Sequence, residues 1–238
     1  MTVAIEEEVP RTRGAGIACA ELESWHATYG LVAGITTRRA PTGPVDLGPA
    51  FAPAFRSTTG SCQPHGAAVR VHESEPAEWM LLEGFDGHAT RQAGLLLTVT
   101  VADCVPVYLA DPDTGAIALL HAGWRGIAAG VLEEGIRRVL ELTGGAAGTL
   151  VMHCGVAIGG AHYEVSEDVL EQLGVASEGG PESVDLREVL AARATAAGVA
   201  RVSVSRWCTY RDEALFWSHR RDAETAGRMV AYLGRPLT

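Results

Sequence analysis

The chain has 238 residues, 47% hydrophobic and 20% charged, a balance that suits one large folded core and excludes a disordered chain. Its formal net charge of −10 argues against tracking a nucleic-acid backbone, which needs clustered positive charge. All 19 basic residues are Arg, so a P-loop lysine, a Schiff-base lysine and a lysine general base are excluded together.

In chain order, residues 1–13 are polar and acidic and read as a flexible N-terminal tail, without the apolar stretch of a signal peptide. Residues 14–238 read as a single domain. A strand is predicted over Leu31–Thr37, and the Gly/Pro-rich stretch Pro41–Pro53 reads as loop. Residues 67–72 alternate as a strand does. Leu95–Val101 and Val105–Ala110 read as β-strands bracketing Ala102-Asp103-Cys104, and residues 116–121 as a further buried strand entered from a turn. Ile127, Val131, Ile136, Val139 and Leu140 recur at helical spacing, predicting one helix from Gly126 to Leu142 that ends at Gly144-Gly145. Thr149–Cys154 reads as a strand, Ser166 as the N-cap of a helix to Leu173, and Leu186–Ala197 as another helix. Val202–Ser205 and Met229–Leu233 close the pattern. Strands alternating with helices give an α/β or mixed α/β class.

The longest apolar run, Leu95–Leu109, is interrupted by Asp103 and is too short to span a bilayer. The five cysteines, at 19, 62, 104, 154 and 208, are odd in number and widely spaced, with no CxxC pair. They fit a reducing compartment, with thiols free or on a metal, and a cytoplasmic location is expected.

Two segments carry chemistry. In Ala102-Asp103-Cys104-Val105-Pro106 an acid and a thiol sit where a buried strand breaks, and a charge there needs a partner. In His121-Ala122-Gly123-Trp124-Arg125-Gly126 a strand runs into His, then a Gly-flanked turn, then a helix, with Arg125 at a natural anion site. Cys104 and His121 each end a buried strand. If those strands are neighbours, a thiolate and an imidazole meet, and a third ligand would complete an open zinc site. His65, His72 and His88 are the candidates upstream, and spacing does not choose among them. His65 lies in the turn Gln63-Pro64-His65-Gly66, His72 at a strand end, and His88 on the turn Asp86-Gly87-His88.

Those three motifs, in that order, resemble the YfiH-like laccase-domain family. Gly34-Ile35-Thr36-Thr37-Arg38, Gly155-Val156-Ala157-Ile158-Gly159 with Tyr163-Glu164-Val165, Cys208-Thr209, Phe216-Trp217-Ser218-His219-Arg220 and Gly227-Arg228 extend the likeness over residues 30–233. The resemblance implies a YfiH-like mixed α/β sandwich. It implies metal ligands His65, Cys104 and His121 holding Zn²⁺, with Cu²⁺ able to load in vitro. It further implies a purine nucleoside phosphorylase with adenosine deaminase activity, acting on adenosine, inosine and methylthioadenosine. The expected partners are thus a small nucleoside and phosphate, with no nucleic acid and no membrane, in a monomer or homodimer.

Within that reading, Asp103 is a candidate proton acceptor or orienter of a ligand imidazole, and Glu164 a second candidate carboxylate. Arg125 and Arg38 are candidate phosphate forks, and His162 and Arg220 candidate pocket residues. Two competing chemistries remain. A copper-dependent laccase-like polyphenol oxidase would need many histidines, and the chain has eight with no His-x-His pair. A cysteine hydrolase acting on cell-wall precursors would use Cys104 as nucleophile and His121 as base.

Overall fold

The computed structural model describes residues 3–40, 47–74 and 79–237. Two seven-stranded sheets lie face to face. The first runs, in spatial order, β1 (Ala4–Glu6), β15 (Arg201–Ser205), β12 (Val151–Cys154), β10 (Val105–Asp111), β11 (Ala116–Ala122), β8 (Gly87–Thr90) and β6 (Val69–His72). The second runs β2 (Val9–Thr12), β3 (Ala18–Glu21), β4 (Val32–Thr36), β16 (Met229–Gly234), β9 (Leu95–Val101), β5 (Ser57–Cys62) and β7 (Trp79–Glu83). A small ladder joins β13 (Glu164–Val165) to β14 (Glu182–Ser183). Both large sheets mix parallel and antiparallel pairs, so the class is mixed α/β.

The continuous apolar runs of β9, β10 and β11 follow from burial on both faces. Leu95, Leu97 and Val99 meet Tyr108, Ile117 and Leu119 between the sheets. The opposite face of the first sheet, with Val107, Leu109 and Leu120, is covered by α4 (Val131–Thr143), α5 (Glu167–Leu173) and α6 (Leu186–Ala196). The opposite face of the second sheet packs Leu96 and Tyr232 on Leu47, Phe51 and Phe55. Helix α1 (Glu23–Tyr29) adds Trp25 to the core between the sheets.

Four sequence expectations are corrected. Within the supposed tail, residues 1–2 lie outside the described residues and the rest is ordered: β1 pairs with β15 and β2 with β3. Its acidic side chains are satisfied partners. Glu8 is buried, with one carboxylate oxygen 3.1 Å from His153 Nε2 and the other accepting from Ser205 at 2.6 Å. Within the supposed loop 41–53, residues 41–46 lie outside the described residues, and Leu47–Phe51 forms the helix α2, anchored by Leu47 and Phe51. The single helix predicted from Gly126 is two, α3 (Trp124–Ala128) and α4. Gly130 parts them at φ 89°, a left-handed conformation in which helical periodicity is interrupted while the apolar pattern continues. The strand expected from Thr149 starts at Val151, after a 3-10 turn over Ala147–Thr149.

Candidate metal centre

Three chain segments converge at one end of the two sheets. In the first sheet, His121 of β11 stands opposite Pro106 of β10, so the Cys104 that precedes β10 is brought alongside. Asp103 makes the bend before Cys104 at φ 87°. It is held there by Thr209 Oγ1, which donates to Oδ1 at 2.5 Å, and by the backbone N–H of Arg220, which donates to Oδ2 at 2.6 Å. The third segment leaves β5. The Gln63 side chain extends the pairing of β5 with β9, donating to Thr100 O at 2.8 Å and accepting from Thr100 N at 2.7 Å. His65 follows with a left-handed backbone, φ 64°.

One ligand atom from each of His65, Cys104 and His121 lies within 4.8 Å of the other two. His65 is exposed, Cys104 half-buried and His121 buried. Zinc bond lengths of about 2.0–2.3 Å set such atoms roughly 3.3–3.6 Å apart in a tetrahedron, so a small contraction seats one ion. Two imidazoles and a thiol are a zinc-type donor set, and they leave one tetrahedral position for solvent or substrate. Gly123 is required at close quarters here: a Cβ on it would lie 2.9 Å from Cys104 Sγ and 3.2 Å from His65 Cδ2.

The three groups are electrostatically linked. Burial pushes the Cys104 thiol up, but hydrogen bonds with His121 and His65 outweigh it and bring it down to about 6. Burial pulls His121 down, yet hydrogen bonds with Asp86 and Cys104 raise it to about 9. His121 Nδ1 is 3.0 Å from Asp86 Oδ1, which leaves Nε2 for a metal.

A cavity of about 400 Å³ opens on His65 and Cys104, with His121 buried beside them and outside its lining. Among its lining residues are Asp103, Trp124, Arg125, Tyr163, His219 and Arg220. The Arg125 guanidinium lies over the Trp124 ring at 4.3 Å, and that of Arg220 over Tyr163 at 4.8 Å. Arg220 also donates to Glu164 O at 3.1 Å. Neither Arg has a carboxylate partner among the described residues, so both cations remain available to an anion.

The structure therefore brings His65, Cys104, His121, Asp103, Arg125 and Arg220 together, and the other candidates do not line the cavity. Arg38 lies over Trp217 at 4.0 Å and donates to Glu213 O, away from the cavity lining. His162 stacks on Tyr210 at 4.6 Å. The Glu164 side chain is exposed, and the residue serves the site through its carbonyl. His72 and His88 form a separate buried pair, 3.1 Å between Nε2 and Nδ1. The hydrogen bonds of the Asp103 carboxylate go to Thr209 and the Arg220 backbone, and it is Asp86 that bonds a ligand imidazole, that of His121. Sequence reasoning missed Asp86, because an acid in the turn Phe85-Asp86-Gly87 looks like a surface residue and is fully buried. Tyr163 and His219 were also missed as lining residues; both lie inside motifs that carry the family likeness.

The fold and the site define a class: a two-sheet mixed α/β protein with an open two-histidine, one-cysteine cleft. The family model described as multi-copper polyphenol oxidoreductase laccase matches residues 51–236, and the chain belongs to that laccase-domain family. A protein of Geobacillus stearothermophilus named purine nucleoside phosphorylase YlmD is 38% identical over 165 residues, covering 64% of this chain and 60% of that protein. A Deinococcus radiodurans protein named purine nucleoside phosphorylase is 38% identical over 181 residues, covering 73% of this chain and 68% of that protein. The aligned part thus spans about three fifths to two thirds of these relatives. The solved structure of YlmD from G. stearothermophilus matches with a TM-score of 0.78 at 30% identity, over 96% of this chain and 99% of that one. A Bacillus licheniformis protein, YfiH, shares the fold at a TM-score of 0.81 and 24% identity, over 95% and 98% of the two chains. Among the described residues, no helix is long and apolar enough to cross a membrane.

Proposed function

We propose that the chain is a zinc-dependent purine nucleoside phosphorylase that also deaminates adenosine. The observation that carries this reading is the His65, Cys104 and His121 cluster, two of whose members line a cavity shared with two guanidinium groups without carboxylate partners among the described residues. The names of the relatives supply the substrate class. His65, Cys104 and His121 would hold the ion, which when bound supplies Lewis-acid polarisation of a substrate oxygen.

The chain's own groups do the rest. Arg125 and Arg220 grip phosphate through fork-shaped charge-assisted hydrogen bonds. Trp124 and Tyr163 hold those guanidinium planes by stacking. Asp103 secures Arg220 through its backbone and keeps the cation at the cavity wall. In phosphorolysis a phosphate oxygen bonds to the sugar C1′ as the bond from C1′ to the base nitrogen breaks. The base leaves with that electron pair and takes up a proton. The aromatic walls limit water at the reacting carbon, so phosphate competes as the nucleophile.

The test is product analysis. Metal-quantified protein is incubated with adenosine, inosine or methylthioadenosine, with and without phosphate. Free base and sugar 1-phosphate should form only with phosphate, while ammonia release from adenosine scores deamination. R125A should raise the KM for phosphate about tenfold or more. Protein carrying one zinc per chain but turning over none of the three nucleosides would remove the reading.

A second reading has a specific observation behind it. The depressed Cys104 thiol beside two imidazoles suits a nucleophile, as in a cysteine hydrolase. Rapid alkylation of Cys104 in the zinc-loaded protein would favour it, because a metal-bound thiolate is protected.

A further inference from the structure

We propose that Asp86 is the positioning residue of the metal centre: one buried carboxylate that sets the tautomer of His121 and the backbone of His65 together. This rests on the metal-site reading above and adds a residue outside the ligand set.

Asp86 is fully buried, just ahead of β8, and touches both histidine segments. Its Oδ1 stands 3.0 Å from His121 Nδ1 and accepts from the backbone N–H of His65 at 3.0 Å. Its Oδ2 accepts from the backbone N–H of Gly66 at 2.7 Å. Its carbonyl accepts from the backbone N–H of His121 at 2.7 Å. His121 is therefore fixed at its main chain and its ring by the same residue.

A carboxylate is the group this place needs. It only accepts, so His121 must carry its proton on Nδ1 and present a bare Nε2 to the ion. The left-handed His65 is unfavourable for a non-glycine residue and is held by the pair of N–H donors aimed at Asp86. Gln63 anchors the segment two residues upstream, and the Asp86 carboxylate fixes the turn at His65 and Gly66 themselves.

Asn at this position cannot serve both contacts. If its oxygen faces His121 and His65, its NH₂ faces the Gly66 N–H, donor against donor. If it is turned over, the NH₂ donates to His121 Nδ1, and the proton moves to Nε2, where it blocks the metal. D86N should thus weaken zinc binding by about 10–100-fold in chelator competition. D86E, which keeps an acceptor-only group, should recover part of that loss.

Zinc affinity is measured on the full chain for wild type, D86N and D86E, with the melting temperature of the metal-free proteins recorded alongside. Cobalt substitution adds a readout that a purely structural role would not move. Wild type should show an intense thiolate-to-cobalt band with four-coordinate ligand-field absorption, and D86N an altered one. Should D86N fail to fold, ¹⁵N-histidine NMR of the zinc-loaded wild type decides. His121 protonated at Nδ1 supports the proposal, and protonation at Nε2 overturns it. D86N binding zinc within about twofold of wild type overturns it as well, leaving the metal reading intact. A wild-type protein that takes up no zinc removes the metal reading and this proposal with it.

Discussion

His121 and His88 project from the same face of the same sheet. His88 of β8 pairs with Leu119 of β11, and His121 lies two residues further along that strand. Both rings are buried, 3% and 0% exposed. Their chemistry is opposite: His121 is raised to about 9, and His88 is lowered to about 3. Burial pulls both down. What differs is the neighbour. His121 has the Asp86 carboxylate and the Cys104 thiol, whereas His88 has only His72, itself lowered to about 4 by burial and by Arg70. His88 Nε2 has no hydrogen-bond partner among the described residues. A buried imidazole is thus a functional group or an inert one according to whether an anion was buried with it.

The comparison breaks most sharply on metal loading. H121A should lower zinc affinity on the order of 1,000-fold or more, whereas H88A should leave loading at one ion per chain, read by elemental analysis after desalting. Equal loss in both variants would mean that His88 matters to loading as much as His121 does, and the contrast between the two would fail.

Next in size is the acid stability of the inert pair. In the folded chain His72 and His88 stay neutral down to about pH 4, while the unfolded chain takes up protons below about 6.5. The unfolded state then binds more protons across that window, so stability is full above pH 6.5 and falls as the pH drops toward 4. A loss of a few kcal/mol between pH 7 and pH 4.5 is expected from the pair in urea melts of metal-free protein. The H72Q/H88Q variant should lose most of that slope, and an unchanged slope would assign acid sensitivity elsewhere.

The smallest effect sharpens the active member of the pair. Gly123 has an ordinary φ of −80°, so alanine costs little in backbone terms there. Its added methyl would nonetheless press on Cys104 and His65. G123A should cost zinc affinity about tenfold while stability changes by under about 1 kcal/mol. An unaltered affinity would show that the ligands have room to spare.

Much of this was legible in the sequence, and the reason differs by element. Strands buried on both faces announce themselves as apolar runs, so β9, β10 and β11 were readable, and with them the ends that carry Cys104 and His121. The strand β5 was not: Ser57-Thr58-Thr59-Gly60-Ser61-Cys62 is polar, and its place is set by pairing with β9 and β7 rather than by its own hydrophobicity. The choice of His65 over His72 came from family likeness, because local patterning does not show which turn folds back to the cleft. Asp86 was invisible for a related reason. Its burial depends on three segments closing around it, none adjacent in sequence apart from its own turn.

The segment Ala4–Thr12 binds both sheets, β1 to the first and β2 to the second. Its partner β15 lies almost 200 positions downstream, as does the serine that meets Glu8. During synthesis β2 can pair with β3 almost at once, whereas β1 must wait for β15. The first sheet can be completed only once β15 has left the ribosome, and a pairing so remote in sequence is expected to form slowly.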